Sequence, residues 1–106
     1  MAKYLFQSRY TQEGARGLLK EGGTNRRKET QRAVESVGGK LESFYYAFGG
    51  MDMFIVADLP DHASAASLSL TVASTGTIST ETIVLLAPED LDQARTKGVA
   101  YRAPGA

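Results

Sequence analysis

Residues 38–61 read GGKLESFYYAFGGMDMFIVADLPD, two apolar runs of strand length on either side of Gly49-Gly50. Glycine pairs supply the positive φ that a two-residue hairpin turn demands, so the stretch predicts antiparallel strands over residues 40–48 and 51–59 joined by a tight turn. Pro60-Asp61 ends the second strand, because proline has no ladder N–H and aspartate caps a following helix. In the first run Glu42, Phe44, Tyr46 and Phe48 alternate with Leu41, Ser43, Tyr45 and Ala47. In the second, Met51, Met53, Ile55, Ala57 and Leu59 alternate with Asp52, Phe54, Val56 and Asp58. Neither strand has a plainly polar face, which is unusual for antiparallel strands open to water.

Working outward, residues 3–10 alternate Tyr4, Phe6, Ser8 and Tyr10 with Lys3, Leu5, Gln7 and Arg9, the two-residue period of a first strand. Thr11 caps a short helix carrying Leu18 and Leu19 that ends at Gly22-Gly23. From Asn25 the segment NRRKETQRAVESV predicts a second, mostly polar helix whose apolar stripe is limited to Ala33, Val34 and Val37. Gly38-Gly39 stops it, because glycine bears no Cβ penalty in the left-handed conformation. After Asp61, HASAASLSLTVAS predicts a helix rich in small residues, ended by Gly76. Residues 77–87 alternate again as a last strand, and Pro88-Glu89-Asp90 opens a short helix.

The order strand, helix, strand, strand, helix, strand predicts an α+β fold, a ferredoxin-like βαββαβ antiparallel sheet with helices on one face. It makes residues 1–96 a single domain and leaves 97–106 as a C-terminal tail that is loose unless a partner holds it. Apolar residues on both sheet faces imply that the helix-free face is also covered. The simplest cover is a second copy, giving a homodimer in the form of a dimeric α+β barrel, or a larger homo-oligomer.

The 106 residues include twelve basic and twelve acidic side chains, so the long-range field that gathers nucleic acid or anionic membrane is missing. Neither is expected as a partner. With no cysteine there is no disulfide framework, thiolate nucleophile or cysteine-ligated metal, as suits a reducing cytoplasm. The start, MAKYLFQSRY, has too short an apolar stretch for a signal peptide, and no run reaches membrane-span length. A cytoplasmic protein is expected.

Gly38-Gly39-Lys40, Gly50-Met51-Asp52, Pro60-Asp61, Gly76 and Thr80-Glu81-Thr82 together resemble the GYD domain family over most of residues 3–87. The family takes its name from a Gly-Tyr-Asp triplet, in which Met51 here replaces the tyrosine. The resemblance implies a small bacterial ferredoxin-like domain of the dimeric α+β barrel type and specifies no single reaction.

The residues themselves offer a few candidates for chemistry. Asp52 stands near the hairpin and is a candidate base or ligand, although aspartates there more often accept backbone N–H groups. His62 is the lone histidine and the one weak candidate metal or haem ligand; a solvent-facing or capping role in the first helical turn is the expected one. Arg9, Tyr46 and Glu81 sit on strands among apolar neighbours and are candidate ligand contacts, with Arg9 and Glu81 expected to pair with each other or reach solvent. Arg26-Arg27-Lys28 is read as a solvated helix face beside Glu29, Arg32 and Glu35. Tyr4, Tyr10, Tyr45, Phe44, Phe48 and Phe54 are read as packing.

The leading expectation is a homo-oligomer that holds a small organic ligand between sheet and helices or at the dimer interface, with no cofactor. The alternatives are a cofactor-poor monooxygenase, isomerase or dehydratase using Asp52, Tyr46 or Arg9, and a structural or regulatory subunit. The enzyme rests on analogy of fold.

Overall fold

A computed structural model describes residues 1–106. In chain order it contains β1 (Ala2–Tyr10), α1 (Gln12–Glu21), α2 (Gly23–Ser36), β2 (Lys40–Tyr46), β3 (Met53–Leu59), α3 (His62–Ser74), β4 (Ile78–Leu85) and α4 (Pro88–Ala94). The strands form one antiparallel sheet in the order β2-β3-β1-β4, the ferredoxin-like arrangement, with β1 and β3 at its centre. The first crossover is two helices, broken at Gly22, whose φ of 85° breaks the helical backbone.

Alternation along the central strands decides which face is covered. Tyr4, Phe6 and Ser8 of β1 and Met53, Ile55, Ala57 and Leu59 of β3 are buried beneath the helices, with Val34 of α2 and Ala65 of α3. Local chemistry ends the helices as the sequence predicts. Thr11 Oγ1 accepts the Gly14 N–H, and Asp61 Oδ1 accepts the Ser64 N–H at 2.7 Å. The Ser64 hydroxyl and N–H together hold the Asp61 carboxyl below its ordinary pKa. Gly38, at φ 82°, turns the chain out of α2 while its N–H reaches the Glu35 carbonyl.

Two expectations for the central hairpin require correction. The strands do not meet at a two-residue Gly49-Gly50 turn: β2 stops at Tyr46 and β3 starts at Met53. The six residues between them close through the Ala47 N–H on the Asp52 carbonyl and the Gly49 N–H on the Met51 carbonyl. Phe48, not a glycine of that pair, takes the left-handed conformation, at φ 55°. Second, Leu41 and Phe44 do not lie on opposite faces. A register shift between Leu41 and Ser43 inserts Glu42 as an extra residue, so Leu41, Phe44 and Tyr46 all oppose core-facing residues of β3. Strict alternation does not anticipate a bulge. The second helix also begins earlier than expected, at Gly23 and not Asn25.

The helix-free face carries Leu5 between Val56 and Ile83, with Gln7 between Phe54 and Glu81, and Tyr45 opposite Phe54. At one end Lys3 Nζ meets Asp58 and Glu42, each at 2.8 Å, and these carboxylates raise its pKa. No helix is long and apolar enough to cross a membrane.

Candidate functional site

α2 and α3 stand apart over the middle of the sheet and leave a cleft of about 110 Å³ between them. For scale, a dry apolar cavity of about 150 Å³ holds one benzene ring. Phe6, Met53 and Ile55 form its apolar floor, and Leu68 and Val72 of α3 its apolar wall. α2 supplies the opposite wall through Arg26, Glu29, Thr30, Ala33 and Val34, each three or four residues from another of the set and therefore on one helix face.

Besides Arg26, Glu29 and Thr30 of α2 and Ser69 of α3, polar groups enter at the floor and at the end of β1. In the floor, the Ser8 and Thr80 hydroxyls lie 2.8 Å apart, facing each other across β1 and β4. Ser8 is buried and satisfied by this bond. At the end of β1 the Tyr10 hydroxyl is buried without a hydrogen-bond partner. The Tyr46 hydroxyl and the Arg26 guanidinium lie beside it, but neither reaches bonding geometry. Burial, reinforced by Tyr46 and opposed by Arg26, pushes the Tyr10 pKa far above the ordinary tyrosine value. This phenol is therefore a neutral donor and acceptor throughout the physiological range. Arg26 is held loosely, its Nη1 3.5 Å from Glu21 Oε2, and Tyr46 Oη donates to the Gly23 carbonyl at 3.4 Å.

Tyr10, Arg26, Val72 and Ile78 also line an adjoining depression of about 330 Å³ bounded by Glu13, Leu18 and Glu21 of α1. Tyr10 and Arg26 thus mark the junction of the two hollows. An apolar molecule in the cleft would present its polar end to them.

Of the candidate ligand contacts singled out in the sequence, Tyr46 alone brings its side chain beside the Tyr10 hydroxyl. Asp52 Oδ2 accepts the backbone N–H of Tyr10 at 2.8 Å, joining the loop before β3 to the end of β1. Tyr46 lies on the helix side of the sheet, its ring stacked on Phe48 with centroids 5.8 Å apart. Arg9 and Glu81 lie on the opposite face, exposed, and not paired with each other: Arg9 opposes Ser79 and Glu81 opposes Gln7. His62 is exposed in the first turn of α3, with Nδ1 2.5 Å from the hydroxyl of the buried Tyr4. Asp61, one residue earlier, is the helix cap. No three side chains of the metal-ligating types come together.

In the sequence Arg26 reads as part of a solvated helix face and Tyr10 as packing, whereas both line the cleft. The stripe Ala33, Val34 and Val37 extends backwards at helical spacing to Thr30 and Arg26, which was the available signal for Arg26. Tyr10 follows Tyr4, Phe6 and Ser8 at two-residue spacing, but nothing in the sequence tells a satisfied phenol from an unsatisfied one.

No curated protein and no solved structure gives a match to this chain. Among protein families, the GYD domain matches residues 4–94, which takes in all four helices and all four strands, less the first two residues of β1. The chain belongs to the GYD domain family.

Proposed function

We propose that the protein is a homodimeric binding protein for a small, largely apolar organic molecule bearing an oxygen that accepts hydrogen bonds, seated in the cleft between α2 and α3. The observation that carries this reading is the unpartnered, buried Tyr10 hydroxyl at the polar end of an apolar cleft. An unsatisfied buried polar group costs about 1–3 kcal/mol, and a ligand atom that pairs with it removes that cost. Apolar walls with few convergent polar groups are the usual composition of small-molecule sites. Arg26, tied to Glu21 across 3.5 Å, is free enough to swing to the same ligand oxygen.

The dimer is supported by the helix-free face, where Leu5, Val56, Phe54 and Ile83 adjoin in register with no helix above them. A cytoplasmic location belongs to the same proposal and suits a chain without cysteine.

Native mass spectrometry of protein purified from cells tests the reading. The expected spectrum is a dimer with excess mass, the extra mass lost from Tyr10→Phe and Arg26→Ala. A ligand retained equally by both variants would place binding elsewhere and overturn the cleft assignment.

A further inference from the structure

After β4 the chain leaves the packed body. From Leu86 to Ala106 every residue is exposed, although residues 88–94 are helical as α4. Leu86, Leu91, Val99 and Tyr101 project apolar side chains from this stretch, between 53% and 80% exposed. The molecule is drawn out to 56 Å, with a radius of gyration of 16.9 Å, where a compact chain of this length has roughly 13 Å. Within the arm the charges are segregated: Glu89, Asp90 and Asp92 come first, then Arg95, Lys97 and Arg102. None of the six forms an ion pair within the chain.

A segment acidic in its first half and basic in its second is complementary to itself when reversed. We propose that residues 86–106 form a dimerisation arm that lies antiparallel against the same arm of a second copy. About a twofold axis near residue 95, Glu89 and Asp92 of the acidic α4 of one copy meet Arg102 and Lys97 of the other, and each charge contact is made twice. The same pairing brings Leu91 of one arm towards Val99 and Tyr101 of its partner, removing apolar surface that one chain leaves in water. The near balance of acid and base within the arm suits a second copy better than nucleic acid, which would demand a basic segment. This inference rests on the self-association proposed above and adds the arm as a contact beside the helix-free face.

Two charge-reversed full-length chains test it, one Glu89→Lys/Asp92→Lys and the other Lys97→Glu/Arg102→Glu. Asp90 is left alone because its carboxylate caps α4 on the Ala87 N–H at 2.8 Å. All four positions are exposed, so both variants keep the fold. Sedimentation at low salt is expected to show each variant dimerising roughly tenfold or more weakly than the natural chain. An equimolar mixture should recover affinity as heterodimers, because opposite reversals restore the complement. A natural chain that is monomeric at micromolar concentration overturns self-association itself. A natural chain that dimerises, with both variants equal to it, overturns only the arm and leaves the helix-free face as the seam.

Discussion

Asp52 Oδ2 accepts the backbone N–H of Tyr10 at 2.8 Å, so the aspartate of the Gly50-Met51-Asp52 triplet fixes the end of the strand that carries the cleft's free hydroxyl. The Asp52 N–H in turn donates to the Ser8 carbonyl at 2.9 Å, two residues back along β1. The side chain therefore positions Tyr10 through the backbone. Asp52→Ala should destabilise the fold by about 1.5–3 kcal/mol, the range for a hydrogen bond to a charged group, and weaken ligand binding with it. Asp52→Asn keeps an acceptor oxygen and should cost less than half as much. Urea denaturation checks the order; equal losses in both variants would assign the carboxylate's charge, and not its acceptor geometry, the main part.

Tyr10 sets a pH limit on stability. Its folded-state pKa lies above the unfolded value, so below about pH 10 both states hold the proton and the phenol contributes no pH dependence. As pH rises further the unfolded chain loses that proton first, and stability falls. Tyr10→Phe removes both the alkaline loss and the unsatisfied hydroxyl. The variant should match or exceed the natural chain by up to about 1 kcal/mol at pH 7, and the gap should widen above pH 10. Thermal denaturation at pH 7, 9 and 10.5 measures this; a variant that loses stability as steeply as the natural chain would place the alkaline titration elsewhere.

The legibility of this chain in its sequence follows the range of the interactions concerned. Strand alternation in 3–10, that expected over 51–59 from Met53 onward, and the caps at Thr11 and Asp61 depend on neighbours within a few residues, and these are recovered in the fold. The Glu42 bulge is set by pairing with β3, so a local period carried across it assigned Leu41 and Phe44 to opposite faces. The loop at 47–52 is held by Asp52 reaching to β1, a contact 42 positions away that two glycines cannot announce. The cleft is more distant still. Whether Tyr10 finds a partner depends on how α2 sets Arg26 and how β2 sets Tyr46, and neither is encoded near Tyr10.

Gly14 and Gly17, three residues apart on α1, should respond oppositely to alanine. A Cβ on Gly14 would stand 2.0 Å from the Thr77 carbonyl oxygen and 2.8 Å from the Tyr10 ring. The oxygen belongs to backbone that already accepts the Thr11 N–H at 3.0 Å, so it cannot simply withdraw. Gly14→Ala should cost roughly 3 kcal/mol or leave the chain unfolded. A Cβ on Gly17 meets nothing within 4 Å, and Gly17→Ala should stabilise by about 0.4–1 kcal/mol through a less free unfolded chain. Paired chemical denaturation curves decide it, and a tolerated Gly14→Ala would mean that α1 can lift from Thr77, the residue before β4.

The helix-free face can be tested at its centre. Leu5 lies between Val56 and Ile83 in register, so a charge there sits in the middle of the apolar patch. Leu5 is only partly buried in the single chain, so a glutamate can reach water and leave the fold intact. In a face-to-face dimer the same carboxylate would be shut away, and the cation Lys3 two residues along β1 is already engaged by Asp58 and Glu42. Burying an unpaired charge costs several kcal/mol, so Leu5→Glu should weaken dimerisation by about a hundredfold or more, while circular dichroism and the monomer's thermal midpoint change little. Sedimentation equilibrium across a concentration series reads the effect. A Leu5→Glu chain that dimerises like the natural one would mean that this face stays open and that association runs through other contacts, leaving the arm to account for any dimer alone.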